Sequence, residues 1–220
     1  MQELGFDISH FLAGGVLVCS FGLLYQARLF GMLNVFALQA VALALAVAWQ
    51  AHTQQAPHLF VTAAIALFMK GMIIPGALRR IVRRMNIHRT IETVVSVNLT
   101  LLAGVGLTML AIMVVFPVAK TTGGLAREDL AFALAIILLG MLTMITRRNA
   151  VSQILGFMAL ENGLILAATG ARGMPLVVEI SVAFSVLIAF FVFGIFVFRI
   201  RDRFDTIDVD ELSAYRGDTE

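Results

Sequence analysis

Long apolar runs broken by short polar connections occupy almost the whole chain, at about residues 8–26, 30–51, 58–78, 93–118, 128–146, 149–169 and 175–198. Each is long enough to cross ~30 Å of hydrocarbon as a helix. The pattern predicts an all-α, polytopic membrane protein with seven transmembrane helices. Basic residues in the connections then set its orientation. Arg28, Arg79, Arg80, Arg83, Arg84, Arg89, Arg147, Arg148, Arg199, Arg201, Arg203 and Arg216 fall on one side, and Lys120, Arg127 and Arg172 on the other. Twelve against three places the N-terminus outside and the C-terminus in the cytoplasm of a cell whose inner (plasma) membrane holds the protein. The organisation expected is a four-helix membrane region over 1–125, a three-helix region over 126–200 and a cytoplasmic tail over 201–220.

A three-helix repeat is suggested by laying the second and sixth apolar runs together. Phe36–Ala46 then stands against Met158–Ala168, and Gln39 falls on Glu161. The two copies, spans one to three and five to seven, would be related without inversion, with the fourth span as connector.

Composition agrees with the pattern: 60% of the 220 residues are hydrophobic and 14% charged, against roughly 45–50% and 25% in soluble domains. Mean hydropathy is +0.95. A net charge of +2 is explained by the loop arginines and gives no support for nucleic-acid binding. The N-terminus is acidic (Glu3, Asp7) where a secretory signal is basic, so the first run reads as a retained span. The single Cys19 excludes a disulfide and a cysteine ligand set for iron–sulfur clusters.

Against this background the charged residues inside the runs stand out. A carboxylate in hydrocarbon costs about 2.5–3.5 kcal/mol on insertion scales, so it is rarely there without a partner, a wet cavity or a task. Glu161 lies twelve positions after Asn149 and eight before Thr169, which puts it ~18 Å and ~12 Å from the two ends of its helix. Glu179 precedes Arg199 by twenty positions, ~30 Å, so it sits near the outer edge of the hydrocarbon. Lys70 lies nine positions before Arg79, ~13 Å from the inner end. Pro75 cannot donate to the Gly71 carbonyl, and its ring pushes the helix open there, beside Lys70. Glu161, Glu179 and Lys70 are therefore candidate proton-transfer groups. The competing reading is structural: acids neutralised at a subunit interface, and a lysine that snorkels to the inner surface or to a neighbouring subunit's acid.

Other polar residues have plainer readings. Asn34, Gln39, Asn98, Gln153 and Asn162 suit interhelical hydrogen bonds. Asn162 points ~100° away from Glu161 on a helix and need not share its cavity. Glu92 suits the N-terminus of a helix. His10, His52 and His58 gather at one surface without regular metal-ligand spacing, so neither metal nor cofactor is expected.

The run Arg148-Asn149 … Gln153-Ile154 … Gly156 … Glu161-Asn162-Gly163, with Val178-Glu179-Ile180, the Lys70 … Pro75 helix and the Thr206 … Asp208-Val209 … Leu212 tail, resembles the hydrogenase-4 component E family. These are membrane subunits of formate hydrogenlyase-type complexes. The sixth and seventh spans also look like the second and third helices of the K subunit of respiratory complex I and of the C subunit of multisubunit cation/proton antiporters. The resemblance implies a membrane subunit of a group 4 nickel–iron hydrogenase-like assembly that contributes to proton translocation and to assembly. Its partners would be antiporter-like and quinone-site-like membrane subunits, with hydrogenase and iron–sulfur subunits on the cytoplasmic side. The subunit itself would carry no redox chemistry. The chain departs from the family pattern at Ser185, where a further acid is expected. An antiporter subunit without a redox partner and a purely structural scaffold remain the alternatives.

Overall fold

A computed structural model describes residues 2–84, 91, 93–118, 126–170 and 187. All but Leu187 lie in one compact unit, Met1–Ser185. The seventh apolar run with Glu179 and Ser185, the tail 201–220, and Glu92 and Lys120 in the connections fall outside the described residues.

The described residues form α1 (Gln2–Tyr25), α2 (Leu29–Gln54), α3 (Pro57–Ala66), a π-helix (Leu67–Ile73), α4 (Ile74–Arg84), α5 (Val97–Val118), α6 (Ala126–Thr146) and α7 (Ala150–Gly170). Six helical segments among them are long and apolar enough to cross a membrane, with α3, the π-helix and α4 counting as one continuous span, Pro57–Arg83. They coincide with the first six apolar runs.

α1 and α2 form an antiparallel hairpin across the short connection 26–28, and α2 closes against α7 and the π-helix. At its far end α2 stops on Gln55, whose left-handed backbone (φ 54°) lets its N–H bond back into the last turn. That conformation usually falls to glycine. Here the Gln55 side chain adds its own bond to the His52 carbonyl, 3.0 Å, and Pro57 opens α3.

α5 flanks α6 and α1 and turns most of its length outward: Leu102, Met109, Met113 and Phe116 are exposed apolar side chains suited to hydrocarbon. At the arginine-bearing end, the segment around Ile91–Val94 ties two connections together. The Ile91 N–H bonds to the Ala27 carbonyl and the Val94 N–H to the Thr146 carbonyl, both at 2.9 Å.

Candidate functional site

The rotation of α7 is dictated by where it meets α6. A Cβ on Gly140 would lie 2.5 Å from the Leu160 backbone nitrogen. One on Gly156 would lie 2.9 Å from the Met144 nitrogen, and one on Gly163 2.9 Å from the Ala133 carbonyl oxygen. Only bare backbone permits this approach. Positions 156, 160 and 163 form the stripe of α7 that faces α6, because residues three and four apart share a helix face. Glu161 and Asn162 are thereby turned elsewhere, and Asn162 meets α2 and the π-helix.

Lys70 arrives from the opposite side through a change of helix type. The regular winding of α3 gives way at Leu67 to a π-helix that ends with the Ile74 N–H bonding to the Met69 carbonyl, immediately before Pro75. The widened turn includes Gly71, where the missing proline donor was expected to open the helix. A wider turn relieves the clash of the ring with the preceding turn and alters the direction in which residues of that turn project. Lys70 is the one residue of this segment that is fully buried, at 1% exposure. Its Nζ stands 3.2 Å from Glu161 Oε2 and donates to Asn162 Oδ1 at 2.9 Å. The snorkelling alternative is therefore excluded.

Asn162 corrects the expectation made for it. Lying ~100° from Glu161 around the helix does not separate the two, because the Lys70 ammonium reaches both. Asn162 Nδ2 continues to Gln39 Oε1 at 3.2 Å, Gln39 Nε2 to Ser20 Oγ at 2.8 Å, and the Ser20 hydroxyl to the Val16 carbonyl at 3.1 Å. α1, α2, the π-helix and α7 thus share one buried polar network around an ion pair.

A second cluster lies toward the α2–α3 connection. Asp129 Oδ2 accepts from Ser9 Oγ and Gln50 Nε2, each at 3.0 Å, while Gln50 also donates to Ser9 Oγ at 2.9 Å. His10 Nε2 stands 3.8 Å from Asp129 Oδ1 with 26% of its side chain exposed. Gln54 joins the cluster to α7 by donating to the Thr169 carbonyl at 2.8 Å. Between the two clusters lies an apolar layer that includes Val16, Leu43, Val47, Ile136, Ile165 and Leu166, all fully or nearly fully buried.

At the arginine-bearing end Arg147, 2% exposed, donates through Nη2 to the carbonyls of Leu23 and Leu24, the last turn of α1. A cation there satisfies orphan carbonyls and the helix dipole. Burial pushes the guanidinium down from its ordinary value, yet an arginine still holds its proton at neutral pH.

Of the three candidates from the sequence, the structure brings Lys70 and Glu161 together, and Glu179 lies outside the described residues. Asp129, Ser9, Ser20, Gln50 and the buried Arg147 were missed. A signal for Ser9, Ser20 and Gln50 existed: Ser9 and Ser20 are eleven positions apart on one span, Gln39 and Gln50 eleven apart on the next, so an antiparallel hairpin pairs them twice. His52 packs by Trp49 at 6.1 Å between ring centres. Among the described residues no group of three or more His, Cys, Asp or Glu side chains gathers closely enough for a metal ion.

Over 98% of its length the chain is 30% identical to the whole of a Mycobacterium tuberculosis protein described as uncharacterized protein Rv0085. Over 164 residues, 74% of this chain and 76% of the relative, it is 29% identical to hydrogenase-4 component E of Escherichia coli K12, and the same figures hold for the Shigella flexneri protein. No family model matches the chain, and no solved structure matches it.

Proposed function

We propose that this chain, which belongs to the family of the Mycobacterium tuberculosis protein Rv0085, is a membrane subunit of a hydrogenase-like complex in which Glu161 takes up and releases protons beside Lys70. The similarity to hydrogenase-4 component E supports the setting. The observation that carries the chemistry is the Lys70–Glu161 pair, 3.2 Å apart and at most 3% exposed on either side chain.

Desolvating two ions costs several kcal/mol each, and hydrophobic residues of similar volume would hold the helices together at least as well. Ionisable groups at this depth point by default to a task. Protonating Glu161 changes the pair from neutral overall to a single positive charge, and in a low-dielectric interior such a change is felt over many ångströms. Conversely, a charge displaced in a neighbouring subunit would drive the proton onto or off Glu161. Glu179 is proposed as the second station, nearer the outer surface, with the N-terminus outside and the C-terminus toward a cytoplasmic hydrogenase module of the formate hydrogenlyase or complex I type. Facing helices stand ~8–10 Å apart, so transfer between glutamates on different helices requires bridging water.

The test uses the assembled complex, isolated through a tag on this chain. Its composition should include nickel–iron hydrogenase and iron–sulfur subunits. Glu161→Gln should leave assembly and redox turnover intact while abolishing coupled proton movement. Unchanged pumping in that fully assembled variant defeats the reading, and antiporter subunits as the sole partners would move the same residues to a cation/proton exchanger.

A further inference from the structure

We infer that Asn162, Gln39 and Ser20 form a one-way chain of hydrogen bonds that holds Lys70 as the fixed positive charge, which leaves Glu161 as the partner that changes protonation. The inference rests on the proton-moving reading of the site and assigns positioning roles to three uncharged residues on three helices.

The direction of the chain is set at its far end. The Val16 carbonyl can only accept, and it accepts the single hydrogen of the Ser20 hydroxyl at 3.1 Å. Ser20 Oγ therefore has only lone pairs to offer Gln39, which must turn its amide nitrogen toward it, at 2.8 Å. The Gln39 oxygen then faces Asn162, whose amide nitrogen donates at 3.2 Å, and the Asn162 oxygen is left for Lys70 at 2.9 Å. Each step forces the next. Every group in the array presents its negative end toward Lys70, and aligned hydrogen bonds of this kind reinforce one another in a low-dielectric interior.

Burial makes the arrangement consequential. Lys70 and Ser20 are 1% exposed and Gln39 and Asn162 0%, so bulk water does not compete for these bonds. Carboxamides neither gain nor lose a proton near neutral pH, so the array is no proton wire. When Glu161 is protonated, the ammonium loses its counter-charge but keeps the oriented oxygen of Asn162. It remains in place to draw the next proton off the acid.

The chain contains two lysines, Lys70 and Lys120. Full-length protein labelled with 15N-lysine in lipid nanodiscs gives two side-chain nitrogen resonances, and Lys120→Arg assigns that of Lys70. The wild type and Glu161→Gln, which mimics the protonated acid, should both show Lys70 as an ammonium with slowly exchanging hydrogens. Adding Ser20→Ala, which removes one oxygen that never touches Lys70, should speed that exchange roughly tenfold, the factor given by about 1.4 kcal/mol of lost stabilisation. Ser20→Thr, which restores the hydroxyl, should reverse the change. Conversion of Lys70 to a neutral amine in Glu161→Gln alone would overturn the inference, as would an unaltered resonance and exchange rate after Ser20→Ala. None of these readings needs pumping. Failure of the proton-moving reading shows separately, as unchanged pumping by Glu161→Gln in the assembled complex.

Discussion

The Lys70–Glu161 network and the Asp129 cluster bury a carboxylate each among α1, α2 and α7, and they do so by different means. At mid-depth the acid is matched by a cation 3.2 Å away, and both side chains are almost fully withdrawn from solvent. Toward the α2–α3 connection the acid is held by a hydroxyl and an amide, with a part-exposed imidazole 3.8 Å off. The same two helices serve both sites, through Ser20 and Gln39 in one and Ser9 and Gln50 in the other. Glu161 and Asp129 are nearly equally buried, at 3% and 5% exposure, so the two sites differ in the counterpart, opposite charge in one and neutral donors in the other, and not in how far the acid is withdrawn from solvent. An apolar layer keeps the two apart. Under the proposed function, we expect no proton to pass from one cluster to the other inside this chain, and the Lys70–Glu161 pair would then exchange with neighbouring subunits or with the arginine-bearing end.

The largest effect should come from breaking the pair. Lys70→Leu leaves a buried acid uncompensated and should cost ~3–5 kcal/mol in denaturant unfolding of the purified chain, whereas Lys70→Leu with Glu161→Leu should recover most of that loss. If the double replacement were as unstable as the single one, the ion pair would not be what distinguishes this site. Next, Gly140→Ala forces a Cβ to within 2.5 Å of the Leu160 backbone and should push α7 off α6, taking Glu161 with it. A loss of about 1–3 kcal/mol is expected for such overpacking, together with a shifted Lys70 nitrogen resonance. An unmoved resonance would mean that the α6–α7 contact does not position the pair.

Asp129→Ala strands the Ser9 and Gln50 donors and should cost ~1–3 kcal/mol, with Asp129→Asn well below that because an amide oxygen still accepts. Equal costs for Asp129→Asn and Lys70→Leu would erase the contrast between the clusters. The smallest effect is expected for His10→Ala, within about 0.5 kcal/mol, as for other part-exposed side chains away from a packed core. A larger loss would show that the imidazole acts at Asp129 as a counter-charge, and the second cluster would then resemble the first.

The sequence by itself determined that the chain is helical and built for a membrane, since runs of about twenty apolar residues can satisfy their backbone in hydrocarbon only as helices. Six of the seven expected spans appear among the described residues. It also singled out Lys70 and Glu161, because ionisable side chains in hydrocarbon are conspicuous whatever surrounds them, and it located the opened turn beside Pro75. Tertiary structure alone decided which polar residues meet. Gln39 and Asn162 read as generic interhelical hydrogen-bonding residues until α2 and α7 are brought together, and Asp129, at the start of the run 128–146, is not singled out until Ser9 and Gln50 close on it. Hydropathy is a property of one segment, while a hydrogen bond between spans depends on the rotation of both. Here that rotation is set by glycines packed against backbone, a contact that no single helix contains.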